Sequence, residues 1–374
     1  MTATVASMDA MKANLKDRLD NHKAPFHAAP HDVAAAAIAQ LESVEGAHWA
    51  AVWSAAAEPF EARGKEREAA GDHDGARDAY FAAYGLLHVG RFPTPNHPAK
   101  LDNYQRSVIA YRNAGRFFTP PVEPIDVPFA GKPGEGDRVR FYVRRPKAAA
   151  PLPVIVRWGG IDTWKEDRHD INERILAAGF ASVNADMPGV GESPVVGSLD
   201  AERQFLPVLD WIATQPDLDA KRVICVGMSY GGYWATKVAH VYGDRLCGAV
   251  NWGGGIDQFF TRAWIEKSKS AGSYLMDIAP ARARTVGGAT YEEYIERVQG
   301  FSLVEQGILD NPHPPMLVVN GRHDEQVPMD DMIVLLEHGK PKAARFFPGG
   351  HMGYGPKTLP TVIAWLQQTA GVTV

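Results

Sequence analysis

The sequence predicts an α/β fold: a mostly parallel central sheet with helices on both faces, preceded by a helical region and interrupted by a helical cap. Three observations carry this expectation. Beyond Pro120, short apolar runs alternate with helical stretches, the pattern of strands joined by crossover helices. One run, Arg222–Val226, leads into Gly227-Met228-Ser229-Tyr230-Gly231, a G-x-S-x-G motif followed at once by a helical stretch. An Asp and then a His stand past the ends of two later runs. That chain order specifies the α/β-hydrolase form of the fold.

Residues 1–118 read as helix. Asp32 stands where an N-cap belongs, ahead of the Ala-rich stretch DVAAAAIAQLES. Trp49, Val52, Trp53, Ala56 and Phe60 recur at helical spacing. Ala76, Ala79, Tyr80, Ala83, Tyr84 and Leu87 do the same after an expected turn at Asp74-Gly75. A loop with Pro93, Pro95 and Pro98 precedes a further amphipathic stretch carrying Leu101, Tyr104, Val108 and Tyr111. No second copy recurs at a fixed period, which excludes a helical-repeat array. These apolar faces must be buried, and the rest of the chain is the expected surface, so 1–118 is expected as a lid or wall.

Residues 119–374 form the expected catalytic domain. Strands are expected at Ile125–Phe129, Val139–Val143, Val154–Trp158, Ala181–Ala185, Val223–Val226, Gly248–Trp252, Met316–Asn320 and Ala344–Phe347. Helices fit between many of them, at Ile171–Ala178, Ala201–Thr214, Gly232–Tyr242, Asp330–Leu336 and Lys357–Thr369. Ligands in such sheets bind at the carboxyl ends of the strands. From about 253 to 315 the strand rhythm lapses and Phe259, Phe260, Trp264, Tyr274, Tyr291 and Tyr294 crowd together, the signature of an inserted helical cap.

Composition narrows the function. The chain has 374 residues, 45% hydrophobic and 22% charged, with a net charge of −5 and no dense Lys/Arg block. Nucleic acid and anionic membrane are therefore not expected partners. No apolar run approaches the roughly 20 residues that span a bilayer, and the N-terminal stretch has no apolar signal core, so a cytoplasmic location is expected. Cys225 and Cys247 lie in apolar stretches and read as buried free thiols of a reducing compartment. His, Cys, Asp and Glu nowhere cluster at metal-ligand spacing, and neither a phosphate-binding loop nor a dinucleotide fingerprint is present. No cofactor and no metal are expected.

The chemistry centres on Ser229. A serine on a sharp strand-to-helix turn needs small neighbours, and the helix behind it favours developing negative charge. A hydroxyl is a weak nucleophile and requires a base. Met316–Asn320 ends in Gly321-Arg322-His323-Asp324, which places Asp324 to orient an imidazole; Asp330 and Asp331 compete but read as helix caps. His351, on the glycine-flanked loop Pro348–Gly353 after the last strand, is the expected base, with His323 as its competitor among 13 histidines. The oxyanion hole is expected from the N–H of Tyr230 and one from the loop Gly159-Gly160-Ile161-Asp162; whether Gly160 or Ile161 supplies it stays open. The loop Asp186–Ser193 reads as structural.

The stretches Trp158–Glu166, Asp186–Ser193, the elbow at Ser229, Asn251-Trp252-Gly253-Gly254 and His323-Asp324-Glu325 resemble one family. It is the α/β-hydrolase group of 2,6-dihydroxypseudooxynicotine hydrolase, which includes polyketide-shortening C–C hydrolases and esterases. The resemblance covers most of the chain. It implies Ser229, Asp324 and His351 as nucleophile, acid and base, a small-molecule carbonyl substrate, a helical region forming part of the active-site wall, and a homodimer. It favours cleavage of a carbon–carbon bond next to a ketone, with carboxylesterase as the alternative. An acyltransferase or a ligand-binding receptor on the same fold are further readings. For a carbon leaving group, Asp257, Glu266 and Asp162 are candidate proton sources, each weighed against a solvated surface carboxylate.

Overall fold

Eight strands form one sheet in the order β1-β2-β4-β3-β5-β6-β7-β8, as seen in a computed structural model. The structure describes residues 8–269 and 274–372; residues 1–7, 270–273 and 373–374, at the ends of the chain and within the expected cap, lie outside it. The strands are β1 (Glu123–Pro128), β2 (Arg138–Arg144), β3 (Leu152–Trp158), β4 (Ala181–Ala185), β5 (Leu218–Met228), β6 (Gly248–Trp252), β7 (Met316–Gly321) and β8 (Ala343–Phe347). β2 runs antiparallel to β4, while β3 through β8 are parallel to their neighbours. This is the mostly parallel α/β-hydrolase sheet the sequence predicts.

The chain divides into two compact units, Met1–Glu123 and Pro124–Val374. The first holds α1 (Met8–Asp20), α2 (His31–Gln40), α3 (Gly46–Ala69), α4 (His73–Arg91) and α5 (Pro98–Gly115). Two details differ from expectation. Asp32 lies inside the first turn of α2, behind Pro30 at the N-cap. Asp74-Gly75 makes no separate turn: it opens α4, where Asp72 caps by accepting from the Gly75 N–H. The helices bury their apolar faces on one another. Trp53 lies 5.7 Å from Trp49 and 5.9 Å from Phe26, and Tyr84 lies 5.1 Å from Tyr111, ring centre to ring centre.

In the second unit the strands alternate their faces, as a period of two demands. Ile155, Ile224, Val226, Val250, Leu317 and Val319 point to one side and meet α6 (His169–Ala177) and α13 (Thr358–Ala370). Cys225 points to the other, toward the Ala235 carbonyl of α8 (Tyr230–Val241). The remaining core helices are α7 (Leu206–Ala213), entered through a 3-10 turn at Ala201–Phe205, and α12 (Met329–Glu337). The cap supplies α9 (Arg262–Ser268), α10 (Ile278–Thr285) and α11 (Tyr291–Arg297) between β6 and β7. Cys225 is buried in β5; Cys247 is half-buried just ahead of β6; both are free thiols. Among the described residues no helix is long and apolar enough to cross a membrane.

The strand order locates the site. From β3 the chain steps to β4 on one side, then returns past β3 to β5 on the other. The connections diverge between β3 and β5, and a crevice opens there at the carboxyl ends. The loop with Gly160 leaves β3 at that point, and Ser229 follows β5 directly.

Candidate active site

Ser229 joins β5 to α8 at φ 54° and ψ −132°, a conformation that a side chain with a Cβ rarely adopts. The turn closes because its neighbours lack side chains. A Cβ on Gly227 would stand 2.0 Å from the Gly231 carbonyl oxygen, and one on Gly231 would stand 2.2 Å from the Gly159 oxygen. The Ser229 N–H is bonded to the Trp252 carbonyl of β6 at 2.8 Å, which anchors the strained residue to the neighbouring strand.

The Ser229 hydroxyl lies 2.7 Å from Nε2 of His351, and Nδ1 of His351 lies 2.8 Å from Oδ2 of Asp324. An ionised carboxylate only accepts, so Asp324 places the imidazole proton on Nδ1 and leaves Nε2 free to accept from Ser229. Asp324 is itself saturated. Its Oδ2 also accepts from Asn320 Nδ2 at 2.9 Å, and its Oδ1 from the N–H groups of Gln326 at 2.8 Å and Val327 at 3.1 Å. Burial works to raise the Asp324 carboxyl; attraction to His351 and the hydrogen bonds from His351, Asn320 and Gln326 outweigh it and hold the group below the ordinary carboxylate range.

Gly160 faces Ser229. A Cβ there would lie 2.8 Å from Ser229 Cβ and 3.1 Å from its Oγ, so only glycine admits this approach. Among the described residues no acceptor takes the N–H of Tyr230, Gly160 or Ile161. Three amides are thus uncommitted around the hydroxyl's end of the loop and helix. The Tyr230 side chain runs the other way, into the cap, where its ring lies 5.4 Å from Phe259 and 5.9 Å from Phe260.

The competitors stand elsewhere. His323 is exposed on the acid loop, and Asp330 is exposed at the start of α12. Asp331 is buried but caps no helix of its own. Its carboxylate accepts from the N–H groups of Ile256, Asp257, Gln258 and Phe259, at the entry to the cap. Of the candidate proton sources, Glu266 is exposed and pairs with Lys269 at 3.4 Å. Asp257 accepts from Ser302 Oγ at 2.5 Å, and Asp162 from Thr163 Oγ1 at 3.2 Å. Among the described residues no group of His, Cys, Asp and Glu could hold a metal ion.

Two features escape motif reading. Asn320 ties the acid loop to the base loop: its amide donates to Asp324, and its oxygen accepts from the Gly321 and Met352 N–H groups. The signal was a lone amide ending an otherwise apolar strand. Lys165, fully buried at 0% exposure, pairs with Glu166 at 2.8 Å, Asp186 at 2.9 Å and Glu192 at 2.9 Å. Its own N–H also donates to Asp186. This cluster joins the loops after β3 and β4, so the Asp186 loop is structural through a buried ion cluster and not only through its turns.

The family profile described as FrsA-like esterase matches residues 42–369 of this geometry. The chain belongs to the FrsA-like esterase family. It is 24% identical to 2,6-dihydropseudooxynicotine hydrolase of Paenarthrobacter nicotinovorans, over 77% of this chain and 74% of that protein. It is also 24% identical to Esterase FrsA of Photobacterium profundum, over 86% of this chain and 76% of that protein. The solved structure of 2,6-dihydroxy-pseudo-oxynicotine hydrolase shares the fold, with a TM-score of 0.78 over 98% of this chain and 97% of that one at 20% identity. Relatives of the chain are named both as hydrolases and as esterases, and the chain is an α/β-hydrolase.

Proposed function

We propose that this hydrolase attacks a carbonyl compound with Ser229, using His351 as base, Asp324 to orient it, and the N–H of Tyr230 with that of Gly160 or Ile161 as oxyanion hole. The observation that carries the reading is the continuous hydrogen-bonded line Ser229–His351–Asp324 on a strained elbow. The Ser229 proton passes to His351 Nε2 as Oγ bonds to the carbonyl carbon. The oxygen that gains charge meets the uncommitted amides. Collapse expels the leaving group, which takes its proton from His351. Water, deprotonated by the same imidazole, then releases the acyl group from Ser229.

The favoured target is a carbon–carbon bond next to a ketone, by analogy with the relative named for pseudooxynicotine. A carbon leaving group must depart as a stabilised carbanion or enolate, so the substrate carries a second carbonyl or a hydroxylated ring beside the bond. Carboxyl-ester hydrolysis is the second reading, favoured by the description of the family. Ser229→Ala should keep its fold and lose on the order of 10⁴–10⁶ in kcat. A fluorophosphonate probe should label Ser229, and an adduct on another serine would overturn the assignment. Aryl 1,3-diketones and aryl esters of matched size decide the bond. Turnover of esters with every diketone at background makes the enzyme a carboxylesterase.

A further inference from the structure

Tyr354 ends the base loop, directly after the 3-10 turn His351–Gly353. Its hydroxyl oxygen accepts from Nη1 of Arg168 at 2.8 Å, and the same guanidinium carbon lies 5.3 Å from its ring centre. Arg168 ends the loop that began with Gly159-Gly160-Ile161 and is held at φ 61° and ψ 49°, the left-handed region that a residue with a Cβ seldom occupies. Both oxygens of Asp170 grip its other nitrogens, at 3.0 and 2.8 Å. The guanidinium is thereby fixed, 10% exposed, with one nitrogen aimed at the phenol. Tyr354 itself is 52% exposed. Because its oxygen receives a cationic donor, its own proton points elsewhere, and among the described residues no acceptor takes it. Crowding around the hydroxyl raises the phenol pKa, against the pull of Arg168, so the group keeps its proton at neutral pH. Asp162 of the oxyanion loop is near enough to act on it electrostatically.

We propose that the Tyr354 hydroxyl binds the second carbonyl oxygen of a 1,3-dicarbonyl substrate, on the fragment that departs. The inference rests on the carbon–carbon reading above. Leaving groups depart toward the base that must protonate them, and Tyr354 is carried on that base's loop. As the tetrahedral intermediate collapses, the electron pair of the carbon–carbon bond moves into the departing fragment as an enolate. The enolate carbon takes the proton from His351 Nε2, and the acyl group stays on Ser229 until water removes it. Charge on the enolate oxygen meets the Tyr354 O–H, which Arg168 polarises and which keeps its proton throughout. An ester's leaving oxygen sits at the breaking bond, so esters lack this second acceptor.

The contact is tested by binding, independently of turnover. In a Ser229→Ala background, affinities are measured by calorimetry for an aryl 1,3-diketone and for the matched mono-ketone. Adding Tyr354→Phe should lower the diketone-to-mono-ketone affinity ratio about tenfold, and adding Arg168→Met instead should lower it in the same direction. With Ser229 intact, Tyr354→Phe should cost diketones about tenfold more in kcat than matched aryl esters. A purely structural role would lower both substrate classes together, and that result overturns the proposal. An unmoved affinity ratio also overturns it, even if the enzyme cleaves diketones. A lowered ratio in an enzyme that cleaves only esters upholds the contact and sinks the carbon–carbon reading.

Discussion

His351 can take a proton from Ser229 only while its own proton rests on Nδ1, and Asp324 enforces that tautomer from 2.8 Å away. Asp324→Asn would offer an amide that donates as readily as it accepts, and the imidazole would turn its lone pair the wrong way. We expect kcat on a nitrophenyl ester to fall about 10⁴-fold, the order found when the aspartate of a serine-protease triad is so replaced, with little change in melting temperature. A loss under tenfold would remove Asp324 from the assigned role. A second residue governs acid behaviour. His240 is 4% exposed, stacks 4.7 Å from His313, and neither ring nitrogen has a partner among the described residues. Burial, then His313 and Lys342, push its pKa down to about 3. The folded state therefore holds it neutral while the unfolded chain takes up a proton below its ordinary value of 6.5, so stability is full above that value and falls as the pH drops toward 3. His240→Phe should remove about 2 kcal/mol of the stability lost between pH 7 and pH 5, read from urea unfolding at the two pH values. An unchanged slope would show that His240 does not titrate in this way. The meeting of Ser229, Asp324 and His351 was legible because each follows a strand in a fixed chain order. Asn320 was not, because its role depends on two loops that meet only in three dimensions.

At the scale of elements, the strands were read best where sequence punctuation is strong. Ala181–Ala185 and Gly248–Trp252 keep their expected bounds, while β5 starts at Leu218, ahead of the expected Val223, because Leu218 pairs with Leu152 across a register shift that spans the polar Asp219–Arg222 stretch. The cap's position was legible from its lapse in rhythm, yet the device that seats it was not. Asp331, at 0% exposure, receives four consecutive cap-entry amides on one carboxylate, a contact between segments over 70 residues apart. Burial pushes its carboxyl up to about 6, while the N–H groups of Asp257, Ile256, Phe259 and Gln258 pull it back down. Asp331→Ala would strand these donors away from water. With about 1–3 kcal/mol for each unsatisfied buried group and partial rescue by water, we expect a loss of about 3–5 kcal/mol in denaturant unfolding. Because Phe259 and Phe260 press on Tyr230, kcat should fall as well. A loss below about 1 kcal/mol would mean that the cap entry is held by other contacts. The buried Lys165 cluster follows the same logic between the loops after β3 and β4: its carboxylates come from separate stretches, so no local pattern announces it.

For the whole molecule, the question is why an α/β-hydrolase carries a helical unit of more than a hundred residues ahead of its sheet. The sequence suggested that Trp49, Trp53, Tyr80 and Tyr84 needed a foreign surface to bury them. Within their own unit α3, α4 and α5 pack them together: the Trp49 indole donates to the Val89 carbonyl, and Asn103 donates to the carbonyl of Ala50. Helical periodicity shows that a face is buried but not against what, so this part of the architecture was not legible from pattern alone. Burial within the unit removes the simplest argument for its presence, that it exists to cover its own apolar residues. The family offers another. The FrsA-like match begins at residue 42 and runs to 369, so it takes in α3–α5 together with the sheet. A unit that the family match takes in together with the catalytic domain is expected to matter to the activity. We therefore expect a protein lacking residues 1–118 to be insoluble, or to fold and lose about a hundredfold in kcat/KM while a small fluorophosphonate still labels Ser229. The comparison is made by circular dichroism, by labelling and by turnover of an aryl ester. A soluble fragment with the full activity of the intact chain would show that the helical unit has no part in catalysis.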